Sequence, residues 1–113
     1  MTYSIKITNT GLGPTDNNTV VITDQILANT AMVVSGTPVT FADGTPVSGL
    51  ALNPANVQYS SDSGVTYTYI PAAGPDGADP NVTNVRIAPV GQLNASDDTN
   101  NPNCTVSFQV IVK

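Results

Sequence analysis

Histidine, glutamate and tryptophan are absent from this chain, and cysteine occurs once, at Cys104. Each absence removes a class of chemistry. Without histidine there is no side chain whose ordinary pKa lies near neutrality, so the usual general base is missing. Without glutamate, aspartate is the only carboxylate available to a catalytic pair. A lone cysteine cannot form an internal disulfide, and with no histidine to activate it, it reads as an inert thiol. The chain has three cations, Lys6, Arg86 and Lys113, against eight aspartates, for a net charge of −5. So few cations cannot neutralise a run of phosphates, which excludes nucleic acid as a partner, and they give no attraction to anionic lipid. No apolar run approaches the ~18 residues of a membrane-spanning helix, so no membrane insertion by this domain is expected. The expectation is a protein that is not an enzyme.

What remains is the composition of a strand-and-turn protein. The 113 residues suffice for one domain with its own core. Val, Ile and Tyr suit a half-buried pleated surface, and Asn, Asp, Gly and Pro suit tight turns. The apolar residues recur with period two. Tyr3, Ile5 and Ile7 alternate with Ser4, Lys6 and Thr8. The strongest alternation closes the chain over Asn103–Lys113, with Cys104, Val106, Phe108, Val110 and Val112 inward. Between them, strands are expected at Thr19–Asp24, Ala31–Val34, Pro38–Ala42, Val57–Ser60, Val65–Ile70 and Val82–Ala88. Pro38 marks its strand as an edge. A turn of helix is expected near Gln25–Asn29. Residues 57–70 read as a hairpin around Asp62-Ser63-Gly64, placing Tyr59 opposite Tyr67 and Val57 opposite Tyr69, all on one face. The fold expected is all-β: an immunoglobulin-like, two-sheet antiparallel β-sandwich of about seven to eight strands. Met1 runs straight into the first strand and Lys113 ends inside the last. This reads as a single domain, 1–113, excised from a larger multidomain surface protein, with Met1 added for expression.

Tyr3-Ser4-Ile5-Lys6-Ile7-Thr8-Asn9-Thr10-Gly11, followed by Val20-Val21-Ile22-Thr23-Asp24-Gln25-Ile26, resembles the domain of unknown function eleven family of bacterial and archaeal surface-repeat domains. The shared pattern is an alternating strand, an Asn-Thr-Gly turn, and a second strand closing in Thr-Asp and an aliphatic residue. Leu27 stands where the family often has Pro. The resemblance implies an immunoglobulin-like module, an extracellular or cell-surface location, and neighbouring domains of the same chain as partners. It implies no activity. In physical terms, Asn9 and Gly11 suit a turn with positive φ, and Asp24 suits capping the next turn's N–H groups.

Three groups of residues are candidates for a site. Oxygen-rich turns at Asp16-Asn17-Asn18, at Asp76 with Asp79, and at Asp97 with Asp98 could offer calcium its preferred ligands, although none matches a complete calcium loop and turn formation alone explains them. Tyr59, Tyr67 and Tyr69 could form an aromatic platform for a surface glycan or protein if their face looks outward; packing against the sheet is the plainer role. Lys6 could join a neighbouring Asn or Asp in a covalent cross-link, but its alternation with Ile5 and Ile7 turns it to solvent, where it blunts strand pairing. Asn17, Asn81, Asn94 and Asn103 begin Asn-x-Ser/Thr triplets that an Asn- and Thr-rich chain supplies by chance. The leading expectation is a structural spacer or adhesive repeat whose core holds the two chain ends apart; the second is a carbohydrate- or protein-binding module, with calcium as its only conceivable cofactor.

Overall fold

The computed structural model describes all residues, Met1–Lys113. The chain is all-β, and its only helix is a 3-10 turn at Pro54–Asn56. Ten strands form: β1 Thr2–Thr8, β2 Ile22–Gln25, β3 Thr30–Val33, β4 Val39–Asp43, β5 Leu50–Ala51, β6 Val57–Ser60, β7 Ala78–Asp79, β8 Asn84–Ile87, β9 Val90–Gly91 and β10 Asn103–Val112. All ladders are antiparallel. The segments absent from the sequence expectation, β5, β7 and β9, are two residues each and lie in stretches rich in Gly, Pro and Ala. Such short pairings depend on a partner brought from elsewhere in the chain, so no local rhythm announces them.

β10 organises the first sheet. β1 lies along one of its edges in unbroken register from Thr2↔Gln109 to Thr8↔Asn103. Two strands share its other edge: β4 against Cys104–Phe108 and β3 against Val110–Val112. Nothing pairs with the outer edge of β4, the edge position that Pro38 indicates. The second sheet has the order β2-β8-β6, and β5 pairs with β9 apart from both.

The two sheets meet over one apolar core. Val106, Phe108 and Val110 of β10 pack with Val85 and Ile87 of β8, with Met32, Val39, Val82 and Ile26 completing the cluster. Tyr3 and Ile5 lie half-buried against it, and the rings of Tyr3 and Phe108 stand 5.5 Å apart. This is the alternation expected of β1, β8 and β10. Val112 is the exception. Met1 already pairs with Val110, so β10 outruns β1, and Val112 is 68% exposed.

Other expectations give way to side-chain capture of the backbone. No helical turn forms at Gln25–Asn29. Gln25 ends β2 and Asn29 takes a positive φ of 67°, closing a tight turn in which Thr30 N–H reaches Leu27 O. Neither Asn9 nor Gly11 has positive φ. Asn9 makes its turn with its amide instead: Oδ1 accepts Gly11 N–H, and Nδ2 donates to Gly13 O and Asn94 O. Asp24 does accept a backbone N–H, that of Gln25.

The two ends are not held apart. Thr2 pairs with Gln109, Met1 N donates to Val110 O, and Lys113 N donates to Asn29 O. Three residues of strand separate Val110 from Lys113, so the ends lie on the order of 10 Å apart, at the same end of the β1–β10 pair. The antiparallel pairing of first and last strands dictates this; alternation reveals that a strand exists but not its direction.

Candidate functional site

The hairpin that carries the tyrosines departs from its expected register. Val65–Ile70 forms no strand, and its one ladder contact is Tyr69 opposite Tyr59, with Tyr69 N–H donating to Tyr59 O at 3.1 Å. The cause is Asp62. Its carboxylate accepts from Ser60 Oγ at 2.6 Å, Thr66 N at 2.9 Å and Thr66 Oγ1 at 2.5 Å. That clamp widens the loop through Thr66 and shifts the pairing by two residues. The Ser60 and Thr66 hydroxyls, with Thr66 N–H, hold the Asp62 pKa down to about 2. Gly64, with φ of 85°, takes the left-handed conformation expected there.

The tyrosines therefore do not share a face. Tyr59 sits opposite Val85, and both it and Tyr69 pack half-buried against the core. Tyr67 crosses to the outer face of the second sheet, where the Arg86 guanidinium lies 4.9 Å from its ring centre. Arg86 alternates with buried Val85 and Ile87, so it must face outward. It is flanked across the sheet by Thr23 of β2 and Gln58 of β6. Arg86 Nε donates to Gln58 Oε1 at 2.8 Å, and Nη2 donates to the same oxygen.

Three of the aspartates proposed for calcium, Asp76, Asp79 and Asp97, accept hydrogen bonds from nearby backbone N–H groups and side chains. Asp79, buried at 1% exposure, binds three donors: Tyr69 Oη at 2.7 Å and Ala72 N at 2.8 Å on Oδ2, and Asn81 N at 2.9 Å on Oδ1. Burial pushes its pKa up, but these three donors together outweigh that and hold it below the ordinary carboxylate range. The same hydrogen bond to Asp79 raises the Tyr69 pKa. Asp76 accepts from Lys113 Nζ and from Ala78 N, and both hold its pKa down. Asp97 accepts from Asn100 N and Thr99 N, which lower its pKa. Asp98 has φ of 72°, and its N–H donates to Ser96 Oγ. No three carboxylates converge anywhere in the fold.

Cys104 is buried, beside Ser48 and in register with Asp43. Burial raises its thiol pKa, which favours the protonated thiol over the nucleophilic thiolate. Ser48 is itself fully buried and donates to Asp43 Oδ1 at 2.6 Å. Lys6 is exposed opposite Thr105 and meets no carboxylate; the single ion pair is Lys113–Asp76. A groove of about 480 Å³ opens between β4 and β6, walled by Val39, Phe41, Leu52, Val57 and Tyr59.

Asp79 is among the calcium candidates of the sequence, but its role as a buried acceptor for Tyr69 is not legible there, because that partner lies ten positions away on a segment that must fold back first. The Arg86 site is not legible either. Alternation with Val85 and Ile87 placed Arg86 outward, but it gave no sign that Tyr67 would cover it. No family model, curated protein or solved structure matches the chain.

Proposed function

We propose that the chain is a non-catalytic structural or adhesive module of a secreted or cell-surface protein, an immunoglobulin-like sandwich that stands out from its parent instead of spacing its neighbours in a line. The observation that carries this reading is the antiparallel pairing of β1 with β10, which brings both ends close together at one end of that strand pair. Chain continuing from either end leaves from the same place, so the domain projects as a lobe and presents its sheet faces outward. The likeness of Tyr3–Ile26 to surface-repeat domains supports the setting. The carboxylates engaged in holding turns, and the one thiol buried without a base, support a role without catalysis.

Two measurements test it. The domain is inserted into a surface loop of a host enzyme; ends close together leave the host folded and active, whereas ends far apart would disrupt it. Cells displaying the domain are then passed over glycan- and protein-coated surfaces under flow. Raised attachment without turnover of chromogenic ester or glycoside substrates is expected. Turnover that disappears with an aspartate substitution would overturn the reading.

A second reading, a carbohydrate- or protein-binding module, is favoured by one arrangement: the Arg86 side chain laid over Tyr67 and held by Gln58 on an exposed sheet face.

A further inference from the structure

We infer that the outer face of the β2-β8-β6 sheet binds a sugar residue carrying a carboxylate, with Arg86 as the anchor. This rests on the second reading above and names its site and ligand class.

Arg86 is the only arginine in a chain of net charge −5, yet none of the eight aspartates pairs with it. It is nevertheless held in place. Its guanidinium carbon lies over the Tyr67 ring, 4.9 Å from the ring centre, and Gln58 Oε1 accepts from its Nε edge. A neutral amide and a π-face fix its orientation without cancelling its charge. Nη1 has no partner within the protein. The Nη1–Nη2 end therefore remains to accept a carboxylate through two parallel N–H groups. Because the side chain is already ordered, binding costs little further rotamer entropy.

The surrounding groups select among carboxylates. Register puts Thr23, Arg86 and Gln58 in one row across the sheet, and Gln25 and Asn84 in the next. All but Arg86 are neutral hydroxyls or amides, groups that both donate and accept, as sugar hydroxyls do. Asn84 Oδ1 is buried with no donor. An acidic peptide or a polyanion would need several cations, and the −5 chain repels it at long range. One carboxylate among hydroxyls, as in a uronic acid, matches one cation among amides.

The test is titration of the full chain, followed by amide chemical shifts, with a glucuronic-acid-terminated oligosaccharide, its neutral glucose counterpart, and an aspartate-rich peptide. Saturable shifts centred on Thr23, Gln58, Tyr67, Asn84 and Arg86 are expected for the uronic sugar. Affinity for the neutral sugar should be about ten- to hundredfold lower, the loss of one charge-assisted pair. Arg86→Ala should abolish the difference between the two sugars. Arg86→Lys, which keeps the charge and guards against a folding defect in the alanine variant, should reduce it. Equal affinity for both sugars, preference for the peptide, or binding unchanged in Arg86→Ala would overturn the site and leave the binding-module reading standing. No shifts with any of the three probes at millimolar concentration would overturn both.

Discussion

Asp79 is a buried anion with no cation beside it, and its stability rests on three donors, two from the Tyr69–Ala72 segment and one from Asn81 two residues on. Tyr69→Phe removes one of them, the O–H at 2.7 Å, while leaving the ring that packs on the core. A hydrogen bond to a charged group contributes about 1.5–3 kcal/mol, so the variant should lose roughly that much. At about 4 °C per kcal/mol for a domain of this size, Tm should fall by ~6–12 °C. Asp79→Asn keeps the shape but presents an NH2 to groups that themselves donate, and should cost about 2–4 kcal/mol. The double variant should cost less than the sum, with a coupling energy of about 1–2 kcal/mol. pH gives an independent check. The folded pKa of Asp79 lies below its unfolded value. Its contribution is therefore complete above the ordinary aspartate pKa of about 3.9 and is lost as pH falls through the lower folded value. Between pH 5 and pH 2 the native protein should lose stability more steeply than Asp79→Asn. Urea unfolding of the four proteins at several pH values measures all of this. Additive effects with coupling below about 0.5 kcal/mol, or an Asp79→Asn variant more stable than the parent, would refute the claim that the donors outweigh burial.

Other outcomes follow from the same packing. Phe108→Ala empties the centre of the core and should cost about 3–5 kcal/mol, whereas Val112→Ala at the exposed end of β10 should cost under about 0.5; thermal melts distinguish them. Cys104 should resist a thiol reagent in native buffer and react fully in denaturant, and prompt native labelling would contradict its burial. The Thr66 amide should be protected from hydrogen exchange at neutral pH and lose protection as pH falls through the Asp62 pKa of about 2, since protonation releases the clamp; indifference to acid would remove Asp62 as the cause of the shifted register. Because no three carboxylates converge, a chelator should leave Tm unchanged, and a fall on chelation would reveal a stabilising cation.

The alternating strands were readable because period two is local. Ile5 beside Lys6, Val85 and Ile87 around Arg86, and Val106 and Phe108 around Ser107 each carry their inward or outward sense within a few residues, and the folded chain keeps it. The turn at Gly64 was readable for a similar reason, because a left-handed residue there is a local steric matter. What alternation cannot specify is which strand lies beside which, and in what direction. That choice put β1 antiparallel to β10 and brought both ends together. It also seated Tyr59 across from Tyr69 once Asp62 had captured Thr66, sent Tyr67 over to Arg86, and drew Asp79 out of solvent toward Tyr69. Apart from the short Asp62–Thr66 clamp, these contacts join residues ten or more positions apart. Such partners meet only when the chain folds back, so no local pattern around any one of them announces the pairing.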